Sequence, residues 1–253
     1  MIAAPTTFAD SALDAGARRA RGFEQRALLR ACPGLRGSPG LCAVLVRLWW
    51  RAQRRGGDLL DDIAAFGSGL EEELGRLVLE ALAPAHLPPD GECGEADRRL
   101  LELKYGTCDV GLLGDRLRER GCTDLRELDL TLHLGARLVG RRRAVTWSGV
   151  ADGLLAPQAA PLLTVVGVAS ASTSSPLSSG HRFALAWTGG AWSFFDPNFG
   201  EAVFPAGPQI RSWMDGLGRV SGYASRVAAT GGGARLWHLV PGGPDPDDPG
   251  GDR

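Results

Sequence analysis

The stretch GHRFALAWTGGAWSFFDPNFG, residues 180–200, decides the fold. Two short apolar runs flank Thr188-Gly189-Gly190-Ala191, and a Gly-Gly centre suits the two-residue hairpin turns that need positive φ. With Gly189 and Gly190 as the loop, Trp187 faces Trp192, Leu185 faces Phe194 and Phe183 faces Asp196. Alternate strand residues share a face, so His181, Phe183, Leu185 and Trp187 fall on the same side as Trp192, Phe194 and Asp196. His181 becomes the diagonal neighbour of Asp196, within side-chain reach. A slip of one residue would turn Asp196 to the opposite face.

Outward from this hairpin, LLTVVGVAS (162–170), EAVFP (201–205) and ARLWHLV (234–240) are further strand-like runs between Gly, Ser and Pro clusters, interrupted by one helix over 207–218. Before Pro161 the texture is helical. The spacing predicts one amphipathic helix from Phe8 to Arg30 and others over 68–83, 95–103, 109–120 and 142–155. The run LCAVLVRLWWRAQ (41–53) reads as a buried helix with one wet edge carrying Arg47, Arg51, Arg54 and Arg55. Ser38 and Pro39 suit its cap and first turn, which places Cys42 in the opening turn. Helices first and an antiparallel sheet second is an α+β fold. The expected organisation is an Arg-rich N-terminal segment over 1–35, helical or regulatory, a domain over 36–240, and a disordered acidic tail over 241–253.

Composition narrows the function. The 253 residues are 44% apolar and 23% charged with a net charge of −1, which argues against a dedicated nucleic-acid binder. That total hides an asymmetry. Residues 1–55 hold ten Arg against Asp10, Asp14 and Glu24, so this front end is +7 and the remainder −8. It reads as a solvated face, with contact to a membrane or an acidic partner left open. Five Cys (32, 42, 93, 108, 122) without a CxxC pair indicate neither a disulfide framework nor a zinc ribbon. No ligand spacing joins them to His86 or His133, so no metal or organic cofactor is expected. No signal-peptide core and no run of 18 apolar residues is present.

An Asp beside a His fixes the imidazole's tautomer and stabilises its protonated form, and such a His serves a nucleophile. Cys42 suits that role, because a helix N-terminus and an imidazolium partner both favour a thiolate. A Cys on an early helix with His and Asp on a later sheet is the arrangement of papain-like thiol hydrolases. The chain resembles the YopT/AvrPphB type of bacterial effector cysteine protease in three blocks. These are Gly40-Leu41-Cys42 with Leu45 and Trp49 following, Gly180-His181-Arg182-Phe183-Ala184-Leu185, and Phe194-Phe195-Asp196-Pro197-Asn198-Phe199-Gly200. Trp213 and Tyr223 follow a similar helix-then-Tyr pattern downstream.

The resemblance implies a papain-like α+β fold, N-terminal helices packed on a C-terminal antiparallel sheet, with Cys42 as nucleophile, His181 as base and Asp196 as orienting acid. It implies a cysteine endopeptidase made in a bacterial cytoplasm, secreted or injected without a standard signal peptide, and acting on proteins of a host or target cell. No stable oligomer is implied. Asn198 is expected to support the turn that carries Asp196. One departure stands out: residues 31–41 contain no Asn or Gln to help form an oxyanion hole, which leaves the Cys42 backbone N–H, with Ser38 or Gln25 as further candidates. Two other readings use the same residues, a transglutaminase-like acyltransferase or deamidase, and an inactive protease fold kept as a binding module.

Overall fold

The computed structural model describes residues 5–35, 41–81, 94–155, 162–168, 180–188, 190–229 and 233–242. Ser38, Pro39, Gly189, His86, Cys93 and the tail beyond Gly242 lie outside the described residues. In chain order the elements are α1 (Pro5–Asp14), β1 (Arg19–Gly22), α2 (Gln25–Ala31), α3 (Leu41–Arg54), α4 (Leu59–Ala65), α5 (Leu70–Ala81), α6 (Glu95–Tyr105), α7 (Val110–Glu119), α8 (Leu125–His133), β2 (Ala136–Ala144) and α9 (Trp147–Leu154). There follow β3 (Leu162–Val168), β4 (His181–Trp187), β5 (Trp192–Asp196), β6 (Gly200–Phe204), α10 (Gly207–Val220), α11 (Tyr223–Ala229) and β7 (Ala234–Pro241). The fold is α+β, helices packed on an antiparallel sheet.

The seven described strands form one sheet in the order β1-β6-β5-β4-β3-β7-β2. Both its faces are covered, which is why β3, β4 and β5 read as nearly continuous apolar runs. On one face Val165, Ala184, Ala186 and Phe195 pack against Leu45, Leu48 and Trp49 of α3, with Leu74 and Leu77 of α5 behind. On the other, Phe183, Phe194 and Phe204 meet Phe8 of α1, Trp147 of α9 and Trp213 of α10. Helix starts follow the capping rule: Asp58, Asp109, Asp124 and Thr146 each accept a backbone N–H of the turn they open.

The sheet recruits two strands from the part of the chain read as helical. The helix expected from Phe8 to Arg30 is two helices separated by β1, which pairs with β6. Residues 142–144, assigned to a helix ahead of 155, are the end of β2, and the helix begins at Trp147. Both strands are sheet edges, so they bury little and carry charge, and β2 has a register irregularity between Leu138 and Gly140 that breaks its alternation. Helices α4, α8 and α11 were also not anticipated. Part of the basic front end is neutralised internally: Arg21 pairs with Asp58 at 2.8 Å and Arg19 with Glu201 at 2.7 Å. The wet edge of α3 also needs correction. Arg47 is buried, with Nη1 2.9 Å from His133 Nδ1 on α8.

Candidate active site

The hairpin has the expected register. Trp187 pairs with Trp192, Leu185 with Phe194 and Ala184 with Phe195; the ladder stops short of the expected Phe183 and Asp196 pair. There the Asp196 carboxylate turns to its diagonal neighbour, and His181 Nε2 lies 2.9 Å from Asp196 Oδ1. The sequence Asp196-Pro197-Asn198 explains how the acid is held. It makes a side-chain-to-backbone turn in which Asn198 N–H donates to Asp196 Oδ1 at 2.8 Å, so Asn198 supports this turn as expected. Gly200 then takes φ +135° under β1, where a Cβ would stand 2.0 Å from the Arg21 carbonyl oxygen. Only glycine lets the N-terminal strand close here.

Cys42 reaches the same end of the sheet from the first turn of α3. Its Sγ is 3.8 Å from the Gly180 carbonyl, beside the first residue of β4. Burial opposes the thiolate, but hydrogen bonding and charge from His181, the Arg182 charge and the Arg182 backbone N–H outweigh it and leave the thiol below its ordinary value. For His181, burial disfavours the cation, while Asp196 and then Cys42 favour it more, and its pKa is pushed up to about 10. With Nε2 held by Asp196, Nδ1 is the ring nitrogen not bound to the acid.

Tyr223, at the start of α11, completes the support of the acid. Its hydroxyl donates to Asp196 Oδ2 at 2.8 Å, and its ring stacks on the His181 imidazole at 5.4 Å between centroids. The Asn198 amide links several groups: Nδ2 is 3.4 Å from Tyr223 Oη and 3.3 Å from His181 Nδ1, while Oδ1 accepts from Gln25 Nε2 at 2.6 Å. Asp196 is thus wholly buried with three donors on its two oxygens. The sequence singled out Tyr223 for its place in a pattern and gave it no task. Gln25, considered as an oxyanion donor, holds Asn198 instead, a contact across 173 residues that no local signal carries.

The other described cysteines differ from Cys42. Burial raises the thiols of Cys32 and Cys122, and a hydrogen bond to Glu102 raises that of Cys108. His238 accepts or donates to Thr164 at 3.0 Å within the sheet, a structural place. Among the described residues no group of three or more metal-ligating side chains converges.

Residues 166–230 match the family model Peptidase_C58, described as Yersinia/Haemophilus virulence surface antigen. The matched stretch carries His181, Asp196, Asn198 and Tyr223. The chain resembles the YopT/AvrPphB type. Among solved structures it is similar to the Pseudomonas avirulence protein AvrPphB, at 15% identity and TM-score 0.39, covering 79% of this chain and 91% of that one. It is also similar to PatoxP, a cysteine protease-like domain of the Photorhabdus asymbiotica toxin PaTox, at 14% identity and TM-score 0.39. That likeness covers 93% of this chain and 57% of the other. No curated protein matches.

Proposed function

We propose that the protein is a cysteine endopeptidase of the bacterial effector or toxin kind, with Cys42 as nucleophile, His181 as its proton carrier and Asp196 as the anion that holds His181. One observation carries the reading: of the four described cysteines, Cys42 alone has its thiol pulled down, and the group responsible is a histidine already anchored on a buried carboxylate. The family match over 166–230 supports it from the other half of the site.

In the reaction the Cys42 thiolate attacks the scissile carbonyl carbon, and the carbonyl electrons move to oxygen, facing the Cys42 backbone N–H in the first turn of α3. The His181 Nδ1 proton goes to the leaving amine as the C–N bond breaks, which leaves a thioester. His181 then takes a proton from water, whose oxygen attacks the thioester carbon and releases a carboxylate and the Cys42 sulfur. Tyr223 and Asn198 hold Asp196 throughout. The substrate is a protein of a target cell, reached by secretion or injection; no described helix is long and apolar enough to cross a membrane.

The test is to incubate the purified protein, and separately a lysate treated with it, beside the Cys42→Ala form and sequence new N-termini. New termini with the wild-type protein alone are expected. Identical termini from Cys42→Ala would sink the proposal.

A further inference from the structure

Residues 21–25 run alongside the turn that carries Asp196. Phe23 N–H donates to the Phe199 carbonyl at 3.0 Å and Gln25 N–H to the Pro197 carbonyl at 2.8 Å, while Arg21 and Gly22 pair with Glu201 and Gly200. The Phe23 ring lies against Phe195, 6.0 Å between centroids. Gln25 is the first residue of α2, and these contacts fix its backbone against the turn. Its half-buried side chain reaches Asn198, whose own backbone N–H is already committed to Asp196 Oδ1.

The Asn198 side-chain amide has two different ends, and Gln25 chooses between them. Gln25 Nε2 only donates, so it takes the Asn198 oxygen, at 2.6 Å. The Nδ2 end is left to face inward, 3.4 Å from Tyr223 Oη and 3.3 Å from His181 Nδ1. Every bond of this chain then points toward the acid: Gln25 donates to Asn198, Asn198 to Tyr223, and Tyr223 to Asp196 Oδ2. Turned over, the amide would set Nδ2 against Gln25 Nε2, donor against donor, and its oxygen against His181. The difference matters to the ring. With Nε2 held by Asp196, an N–H aimed at Nδ1 favours the neutral imidazole, whereas an oxygen there would favour the imidazolium. Asp196 of β5 and Cys42 of α3 both favour the imidazolium. Tyr223 of α11 stacks on the ring with its hydroxyl on Asp196, Arg182, next on β4, acts on the Cys42 sulfur, and Glu24, beside Gln25, pairs with Arg30 at 3.8 Å. The Asn198 amide is thus a counterweight to the two groups that hold the proton on the ring, and a histidine that holds its proton too firmly cannot pass it to a leaving amine.

We infer that Gln25 is a positioning residue for the proposed reaction: by holding the Asn198 oxygen it keeps the Asn198 N–H on His181 Nδ1, and that donor keeps the imidazole proton transferable. This rests on the peptidase reading and makes part of the N-terminal segment 1–35 a component of its site. Nδ2 carries two hydrogens, so Tyr223 Oη keeps one of them when Nδ1 turns to the thiol.

The test titrates the imidazole itself. In the full-length Cys42→Ser protein carrying nitrogen-labelled histidine, the ring signals of His181, assigned by their loss on His181→Ala, are followed against pH by NMR. Gln25→Met removes the donor at equal length and equal charge. The proton affinity of His181 should then rise at least about threefold, because the Asn198 amide is free to turn its oxygen to Nδ1. Asn198→Ala should raise it too, and Gln25→Met added to Asn198→Ala should change nothing further, whereas an effect of Gln25 through packing would persist in the double variant. The shift is read on folded protein, so a small loss of stability does not bear on it. With Cys42 intact, Gln25→Met should lower kcat for peptide cleavage several-fold and leave KM unaltered. An unshifted or lowered His181 affinity in Gln25→Met, an equal shift in the Asn198→Ala background, or an unchanged kcat in a protein that cleaves would overturn the inference. An upward shift that vanishes in the Asn198→Ala background, in a protein that cleaves nothing when Cys42 is intact, would leave the effect of Gln25 on His181 standing and overturn the peptidase reading instead.

Discussion

His181 and His133 each face an aspartate through Nε2, at 2.9 Å in both cases, His181 in a hydrogen bond and His133 in a contact without hydrogen-bond geometry, and both pairs sit against α3. They differ at the second ring nitrogen. Nδ1 of His181 has only the neutral Asn198 amide near it, at 3.3 Å, and the His181 ring also acts on the Cys42 thiol, whereas Nδ1 of His133 is met by the Arg47 guanidinium at 2.9 Å. The guanidinium is a charged group that only donates, whereas the Asn198 amide is neutral. The carboxylates differ as well. Asp129 is already compensated by Lys104, the one lysine of the chain, while the further donors to Asp196, Tyr223 Oη and Asn198 N–H, are neutral and leave its charge to the imidazolium. A histidine beside an aspartate is therefore not yet chemistry. On the proposed reading, the group on the far nitrogen and the charge balance of the acid separate a pair that moves protons from one that fastens helices.

Replacing the two acids should separate these roles most strongly. Asp196→Ala strands the Tyr223 hydroxyl, the Asn198 N–H and the imidazole. We expect peptide cleavage to fall by on the order of 10³- to 10⁴-fold and unfolding free energy, measured in urea, by about 3 kcal/mol. Asp129→Ala should cost comparable stability, about 3 kcal/mol, because Lys104 is left buried with one partner fewer, yet alkylation of Cys42 should keep its wild-type rate. Equal loss of Cys42 reactivity in both would erase the distinction between the pairs.

The histidines give the next contrast. His181→Ala should slow iodoacetamide alkylation of Cys42 at neutral pH at least about tenfold, while His133→Ala leaves it unaltered. The pH profile of cleavage sharpens this. His181 has its pKa raised to about 10, so the imidazolium, and the stabilisation it lends the thiolate, is present at lower pH and lost as pH rises through that value. Cys42 has its pKa lowered, so its thiolate persists below the ordinary thiol value of 9.0 and is lost as pH falls through the lowered value. Cleavage should follow a bell with those two limbs, and His133→Ala should move neither limb. Smallest are the supports: Tyr223→Phe should cost about 1–2 kcal/mol and several-fold in cleavage, and Gln25→Ala less than about 1 kcal/mol. A Tyr223→Phe protein with unchanged rate would show that Asp196 is held by the hairpin turn alone.

The site was legible in the sequence where its geometry is local. The β4 and β5 register follows from Gly189-Gly190 and strand alternation, and it brings His181 to Asp196 without any knowledge of the rest. Cys42 followed from residue type and helix position. What escaped was set by distant packing. The strand β1 is four residues, Arg-Ala-Arg-Gly, whose place beside β6 depends on the bare Gly200 and on Asp58 and Glu201 receiving its arginines. The polar edge β2 has no clean alternation because of its irregularity at Leu138 and Gly140. Arg47 looked like part of a solvated stripe, since its burial is decided by His133, 86 residues away. For the same reason a pattern could point to Tyr223 but not to its hydroxyl on Asp196.

The most direct test of the account is the rate of iodoacetamide alkylation of Cys42 as a function of pH, followed by mass spectrometry of its peptide in the wild-type and His181→Ala proteins. The account predicts an inflection below 9.0 in the wild-type protein that moves upward when the imidazole is removed. An inflection at or above the ordinary thiol value, unchanged by His181→Ala, would contradict it.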